Sequence, residues 1–312
     1  MARLVAAMAS SHAYTFLEPA QWDARREVSY GRWRRRFGTP PPVPPQLAQE
    51  TLEGNQARYW RIREGLRQLK RRLAELQPDA LILIGDDQNE NYRADNLPQF
   101  AIYVGDRFVS VDRESNRTTY HVSDVALATT ILCESVEAGF DLASSNSFRD
   151  GLLISHAHTQ ILSFLEPEIP VVLVFVNAIH VPAPTPARCY QFGQCLASIL
   201  RSLPDDRRYI AYASGGMSHF TGTYPWEHYS GPFSFGSISE AFDRWVVERM
   251  RAGQGAELAK LSSRDLLANG EIELRQWITL LGALDAAPPR WLEYEPFYRA
   301  IGAQAVGYWE PN

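Results

Sequence analysis

The stretch Ala80-Leu81-Ile82-Leu83-Ile84-Gly85-Asp86-Asp87-Gln88, residues 80–88, decides how the rest of the chain is read. Its apolar run follows Pro78, which closes a helix-like segment, and it is short enough to be a strand. It stops abruptly in a cluster of carboxylates and an amide. Outward from it the same pattern recurs. Residues 3–8 read as a buried strand ending in Ser10-Ser11-His12, and Tyr209 to Ala213 runs into Ser214-Gly215-Gly216-Met217-Ser218-His219. The run Val171 to Val176 is β-branched and apolar throughout, as expected of a strand buried on both faces.

Helical segments alternate with these strands. Tyr59, Ile62, Leu66, Leu69, Leu73 and Leu76 recur at spacings of three and four, which gives a helix with one apolar face. Its other positions carry Arg58, Arg61, Arg63, Arg67, Lys70, Arg71 and Arg72, read as a solvated face rather than an anion site. Further helices are expected over Ser123–Ala138, His156–Leu165, Ala187–Leu203, Ser237–Met250 and Glu271–Leu281, and a strand near Phe100–Val104. Residues 144–151 read as a loop and the C-terminal third as largely helical. The fold class that follows is α/β, with a central mixed, largely parallel sheet flanked by helices and a site at the strand ends. One catalytic domain over 1–312 is expected, because no low-complexity linker interrupts the alternation. A helical, proline-rich covering excursion, including Pro40 to Pro45, occupies about 18–76.

Composition narrows the function. The chain has 312 residues, 45% of them hydrophobic, which is enough for a large core, and a formal net charge of -5. An acidic balance argues against nucleic acid as a partner, since phosphate contacts need a basic face. No run approaches the 18 or so apolar residues of a membrane span, and the apolar N-terminal stretch is too short for a signal core. A cytoplasmic enzyme is expected. Cys133, Cys189 and Cys195 fit neither a disulfide framework nor a zinc motif and read as reduced and buried. Gly-x-Ser-x-Gly, Gly-x-x-x-x-Gly-Lys and dinucleotide fingerprints are lacking, so neither a nucleophile elbow nor a nucleotide cofactor is expected.

Three polar clusters at three strand ends are the main functional signal: Ser11-His12, Asp86-Asp87-Gln88 and Ser218-His219. A lone histidine after a strand is more often structural than a ligand. Parallel strands, however, bring their ends to one edge, where distant residues converge on a cleft. The Gly215-Gly216 pair permits a sharp turn that presents His219. His156 and His158, two apart at a helix start, point in different directions, so one of them is expected to face a site. His121, His180 and His228 lack such a context, while Tyr92, Tyr224, Trp226 and His228 are candidate pocket residues without further support.

The blocks MARLVAAMASSH, LILIGDDQNENY with LPQF, HAHTQIL, PTPARCYQFGQCL, YIAYASGGMSHF and IELRQWITLLGAL follow one another along nearly the whole chain. In order and content they resemble the class III extradiol ring-cleaving dioxygenases, of the protocatechuate 4,5-dioxygenase β-subunit type. The resemblance implies a non-haem Fe(II) held by two histidines and one glutamate, a small aromatic substrate of catechol type, and dioxygen. It also implies a homo-oligomer or a small accessory subunit. His12 matches the first histidine ligand and Glu273, rather than Glu271, the carboxylate ligand. His219 matches the acid/base histidine, and His156 the histidine that assists substrate and oxygen, with His158 as the fallback. Gln88 stands at the second histidine ligand, which is where this sequence departs from the pattern. A glutamine offers a neutral, hard amide oxygen, better suited to Mg²⁺ or Ca²⁺. Asp86 or Asp87 could ligate instead, or Gln88 could hold a metal-bound water. A redox-neutral metal enzyme and a non-catalytic scaffold are the rival readings.

Overall fold

The structure is a computed structural model that describes residues 3–12, 16–93, 95–112, 115–149, 151–219 and 238–311. Its centre is an eight-stranded mixed sheet in the order β6-β3-β7-β2-β8-β1-β10-β9. The strands are β1 (Arg3–Ser10), β2 (Ala80–Gly85), β3 (Phe100–Tyr103), β6 (Ala143–Ser145), β7 (Val171–Val176), β8 (Arg208–Ser214), β9 (Trp291–Phe297) and β10 (Gly302–Trp309), while β4 (Arg107–Val111) and β5 (Thr118–Val122) form a separate hairpin. The four middle strands, β7, β2, β8 and β1, are mutually parallel. All residues of β2 and β7 are buried, as continuous apolar runs require when helices cover both faces.

Helices α1 (Pro19–Phe37), α2 (Leu52–Leu76) and α4 (His156–Leu165) pack over one face, where Trp22, Tyr59, Leu66, Ile161, Met8 and Tyr308 share a core layer. Helices α3 (Val125–Glu137), α5 (Pro186–Ser202), α6 (Glu240–Arg251), α7 (Ser263–Ala268) and α8 (Leu274–Ala283) cover the other, joined through Ile131, Phe192, Val246, Leu266 and Trp277. The expected excursion is thus two helices, α1 and α2, linked through the proline stretch and a 3-10 turn at Pro45–Gln49. On α2 the charged face meets acids, with Arg61 on Glu295, Lys70 on Glu166 and Arg71 on Glu64.

Contact between α5 and α8 depends on two glycines. A Cβ on Gly193 would lie 1.9 Å from the Thr279 carbonyl oxygen, and one on Gly282 would lie 2.1 Å from that of Tyr190. Backbone-to-backbone packing here fixes where α8 begins, and α8 begins immediately after Glu273.

The C-terminal third differs from the helical expectation. Residues 291–297 and 302–309 are the antiparallel strands β9 and β10, which pair with each other and join the sheet beside β1. Their mixture of glycine, aromatic and charged residues hides the alternation, and only their place in the sheet beneath α2 and α6 buries them. Within 144–151, part of the expected loop is the short strand β6. Cys189 is buried as expected, but Cys133 is exposed, and Cys195, packed against the edge of the core beside Ser135, is half-buried; all three are free.

Candidate metal centre at the strand ends

The C-terminal ends of β1, β2 and β8 bring the three polar clusters together. His12, Asp86 and Glu273 are buried, and one donor atom from each lies within 4.8 Å of the others. His12 Nε2 is 3.9 Å from Glu273 Oε2, and His219 Nε2 is 3.7 Å from Glu273 Oε1. Among the described residues no other group of three His, Cys, Asp or Glu side chains converges this closely.

Hydrogen bonds fix how the imidazoles are turned. The Ser214 hydroxyl donates to the Ala157 carbonyl at 2.6 Å, which leaves its oxygen to accept from His12 Nδ1–H at 3.2 Å. His12 therefore carries its proton on Nδ1 and turns Nε2 to the carboxylates, the arrangement a metal-binding histidine needs. His219 Nδ1 lies 2.9 Å from the Met217 carbonyl, which can only accept, so Nδ1 carries its proton there and Nε2 is the nitrogen turned towards Glu273. His156 Nδ1 lies 2.9 Å from Glu90 Oε2, which also accepts from the His156 backbone N–H, and the His156 ring stands edge-on to His12 with centroids 5.0 Å apart.

The turn after β8 gives Glu273 its partner. Gly216 has φ +61°, a conformation that favours glycine, and its N–H donates to Glu273 Oε2 at 3.0 Å. A Cβ there would also meet Glu271 Oε1 at 2.8 Å. Ser11 Oγ accepts from the N–H groups of Met217 and Ala305, joining the turn to β1 and β10. Behind it Asp243 takes the Ser218 hydroxyl at 2.6 Å and the Tyr294 hydroxyl at 2.9 Å.

The strand-end acids divide by role. Asp87 is occupied by the loop, accepting from the N–H groups of Glu90, Asn91 and Tyr92. Burial, against those bonds, lifts it to about 6. Asp86 is fully buried, and its Oδ1 has no hydrogen-bond partner among the described residues. Burial first, and then the charges of Glu273, Asp87 and Glu90, push its pKa well above the carboxylate range. Gln88 Nε2 donates to Glu273 Oε1 at 2.9 Å and to Asp86 Oδ2 at 3.3 Å. Glu271 is also buried, and burial with the neighbouring Asp243 and Glu273 charges raises it strongly.

A buried, unpartnered carboxylate oxygen beside a second carboxylate and a histidine nitrogen fits a divalent cation, which would supply the charge that the pocket otherwise lacks. The donors are one nitrogen and carboxylate oxygens, a harder set than two histidines and a glutamate.

His158 does not share the cluster. Its ring lies under Gly85 against Phe175, Nδ1 is 2.8 Å from Ser155 Oγ, and Nε2 is 3.1 Å from the Val174 carbonyl. Burial lowers its pKa to about 4. Tyr92 is packed between Phe148 and Phe175 with its hydroxyl on Ser145. Tyr224, Trp226 and His228 lie outside the described residues. Sequence reading passed over Glu90 and Ser214 as orienting groups. Ser214 ends β8 opposite Ser10, so its place on a converging strand was the available signal, whereas nothing local marked Glu90.

The family described as the catalytic LigB subunit of aromatic ring-opening dioxygenase matches residues 41–308. This chain belongs to the LigB family. Relatives include 2,3-dihydroxyphenylpropionate/2,3-dihydroxicinnamic acid 1,2-dioxygenases of Klebsiella pneumoniae and Escherichia coli, each 28% identical over 153 residues. Those matches cover 48% of this chain and 46% of the relative, so the chain spans about half the length of the curated relatives it matches. An uncharacterized protein of Escherichia coli K12, known as a crystal structure, superposes with a TM-score of 0.47 at 14% identity, covering 78% of this chain and 91% of that one. Of the LigB chain's cluster, His12 precedes the matched span, while Asp86, Gln88, His156, His219 and Glu273 fall within it. No described helix is long and apolar enough to cross a membrane.

Proposed function

We propose that this LigB-family protein is a non-haem, metal-dependent extradiol dioxygenase that opens a catechol-type ring with O2. The observation that carries the reading is the buried convergence of His12, Asp86 and Glu273, with an unpartnered Asp86 oxygen, between two histidines of fixed orientation. His12, Asp86 and Glu273 hold the metal, and Gln88 bridges the two carboxylates. The metal is Fe(II), which when bound supplies electron transfer between an electron-rich ring and dioxygen. The carboxylate-rich donor set also suits harder divalent ions, which is the specific ground for the redox-neutral alternative.

Ring opening asks the chain for a base and then an acid. With Nδ1–H held by the Met217 carbonyl, His219 Nε2 accepts a proton from a ring hydroxyl and later returns it to the departing oxygen. Glu90 accepts from His156 Nδ1–H and keeps that ring beside His12, where it serves as a fixed hydrogen-bonding group for substrate oxygens. Residues 1–312 act as one cytoplasmic catalytic unit, and a homo-oligomer or a small accessory subunit belongs to the same reading.

Metal content of anaerobically purified protein, followed by oxygen uptake with a panel of catechols, tests it. Stoichiometric iron, uptake on adding a catechol, and loss of uptake in His12→Ala and Asp86→Ala are expected. A redox-inert metal with no uptake across the panel would move the assignment to redox-neutral chemistry.

A further inference from the structure

Gln304 lies on β10 at the edge of the cluster and is fully buried, yet neither its amide nitrogen nor its amide oxygen has a hydrogen-bond partner among the described residues. Burying an unpaired amide costs a few kcal/mol, so a native chain keeps one where water or a ligand completes it. The sheet register fixes its place. Ser10 pairs with Val306 in the antiparallel ladder, and the Ser11 N–H donates to the Ala305 carbonyl at 2.9 Å, so Gln304 stands across from His12. At the same end of β10, His219 bridges Gly302, and the Ala303 N–H donates to the Ser218 carbonyl.

Alternation fixes its side of the sheet. Val306 and Tyr308 belong to the core layer under α1, α2 and α4, while Ala303 and Ala305 belong to the opposite layer. Gln304 therefore shares the face of Val306 and Tyr308. His12 reaches that same face, since its ring meets Ser214, whose hydroxyl is bonded to Ala157 of α4. An amide carrying both a donor and an acceptor is thus delivered next to His12 and one step from His219.

We propose that Gln304 recognises the substrate, hydrogen-bonding a ring substituent that both donates and accepts, as a hydroxyl or carboxamide does. This rests on the catechol-binding reading of the site and adds to it the class of substituent. The amide is neutral and offers both a donor and an acceptor, which matches an uncharged polar substituent better than a carboxylate, which can only accept.

The test is anaerobic calorimetric titration of the metal-loaded protein with catechol, 1,2,3-trihydroxybenzene and the 2,3- and 3,4-dihydroxybenzamides. Wild type is expected to bind at least one of the substituted rings about tenfold tighter than catechol, the worth of one net hydrogen bond of about 1.4 kcal/mol. Gln304→Met, similar in volume and apolar, should erase that preference and leave catechol binding within about twofold. Gln304→Asn, which keeps the amide but withdraws it, should show an intermediate preference and serves if the Met variant does not fold. A preference that survives in Gln304→Met, or no preference in wild type, overturns the proposal and leaves a buried water as the amide's partner. Gln304-dependent discrimination without oxygen uptake would instead overturn ring opening while this assignment stands.

Discussion

The Gln88 amide nitrogen lies 2.9 Å from Glu273 Oε1, and the same nitrogen reaches Asp86 Oδ2 at 3.3 Å. A residue standing where the family resemblance places a metal ligand therefore bridges two carboxylates, and the unpartnered oxygen belongs to Asp86.

Removal of Asp86 is accordingly expected to cost more metal affinity than removal of Gln88. In competition against a calibrated chelator, Gln88→Ala should weaken divalent-ion binding by about 10-fold, as loss of an outer hydrogen-bonding group does, and Asp86→Asn by more than about 100-fold. The opposite order would return the ligand role to Gln88.

Ser214 orients His12 through one hydroxyl. Ser214→Ala should leave the fold intact and lower metal affinity by about 10–100-fold, because the His12 tautomer is no longer held. Unchanged affinity would mean that other contacts orient the ring.

His156 and His158 should separate function from stability. His158→Ala removes a buried ring bonded at both nitrogens and should cost about 3 kcal/mol of stability in denaturant unfolding. His156→Ala, half-buried beside Glu90, should shift the melting temperature little and cut catechol turnover by about 100-fold. A stable, active His156→Ala protein would contradict its assigned role.

Acidity and metal should be linked. Burial lifts Asp87 from 3.8 to about 6 and raises Asp86 and Glu271 well above their ordinary range. Between about pH 4 and pH 6 the folded, metal-free protein then holds more protons than the unfolded chain, so these groups lower stability as pH rises through that window. With Asp86 as a ligand, metal binding requires it ionised and releases its proton, so affinity is expected to rise with pH. The melting-temperature gap between metal-loaded and metal-free protein should therefore widen from about pH 5 to about pH 7.5. A constant gap would show that Asp86 is not a ligand.

Much of the fold could be read locally. The apolar runs 80–84 and 171–176 and the three-four spacing along 59–76 each carry enough burial to name their element, and the structure places β2, β7 and α2 there. β9 and β10 could not be read this way, because the aromatic and glycine residues of 291–309 gain their burial from β10 pairing with β1, β9 pairing with β10, and helices α2 and α6 packing on them.

Polar residues following three apolar strands, and a glycine pair turning the chain before His219, were legible along the chain, since they depend on short-range pattern and backbone freedom. Tertiary structure alone decided which acids meet. Asp86 rather than Asp87 faces Glu273, because the Asp87 carboxylate is consumed by three backbone N–H groups of its own loop. Gln304, more than thirty residues after Glu273, comes to His12 only through the antiparallel register of β10 with β1. Spacing along a chain constrains neighbours within a strand or a helical turn. Which strand lies beside which is set by burial of the whole sheet, and the site inherits its residues from that choice.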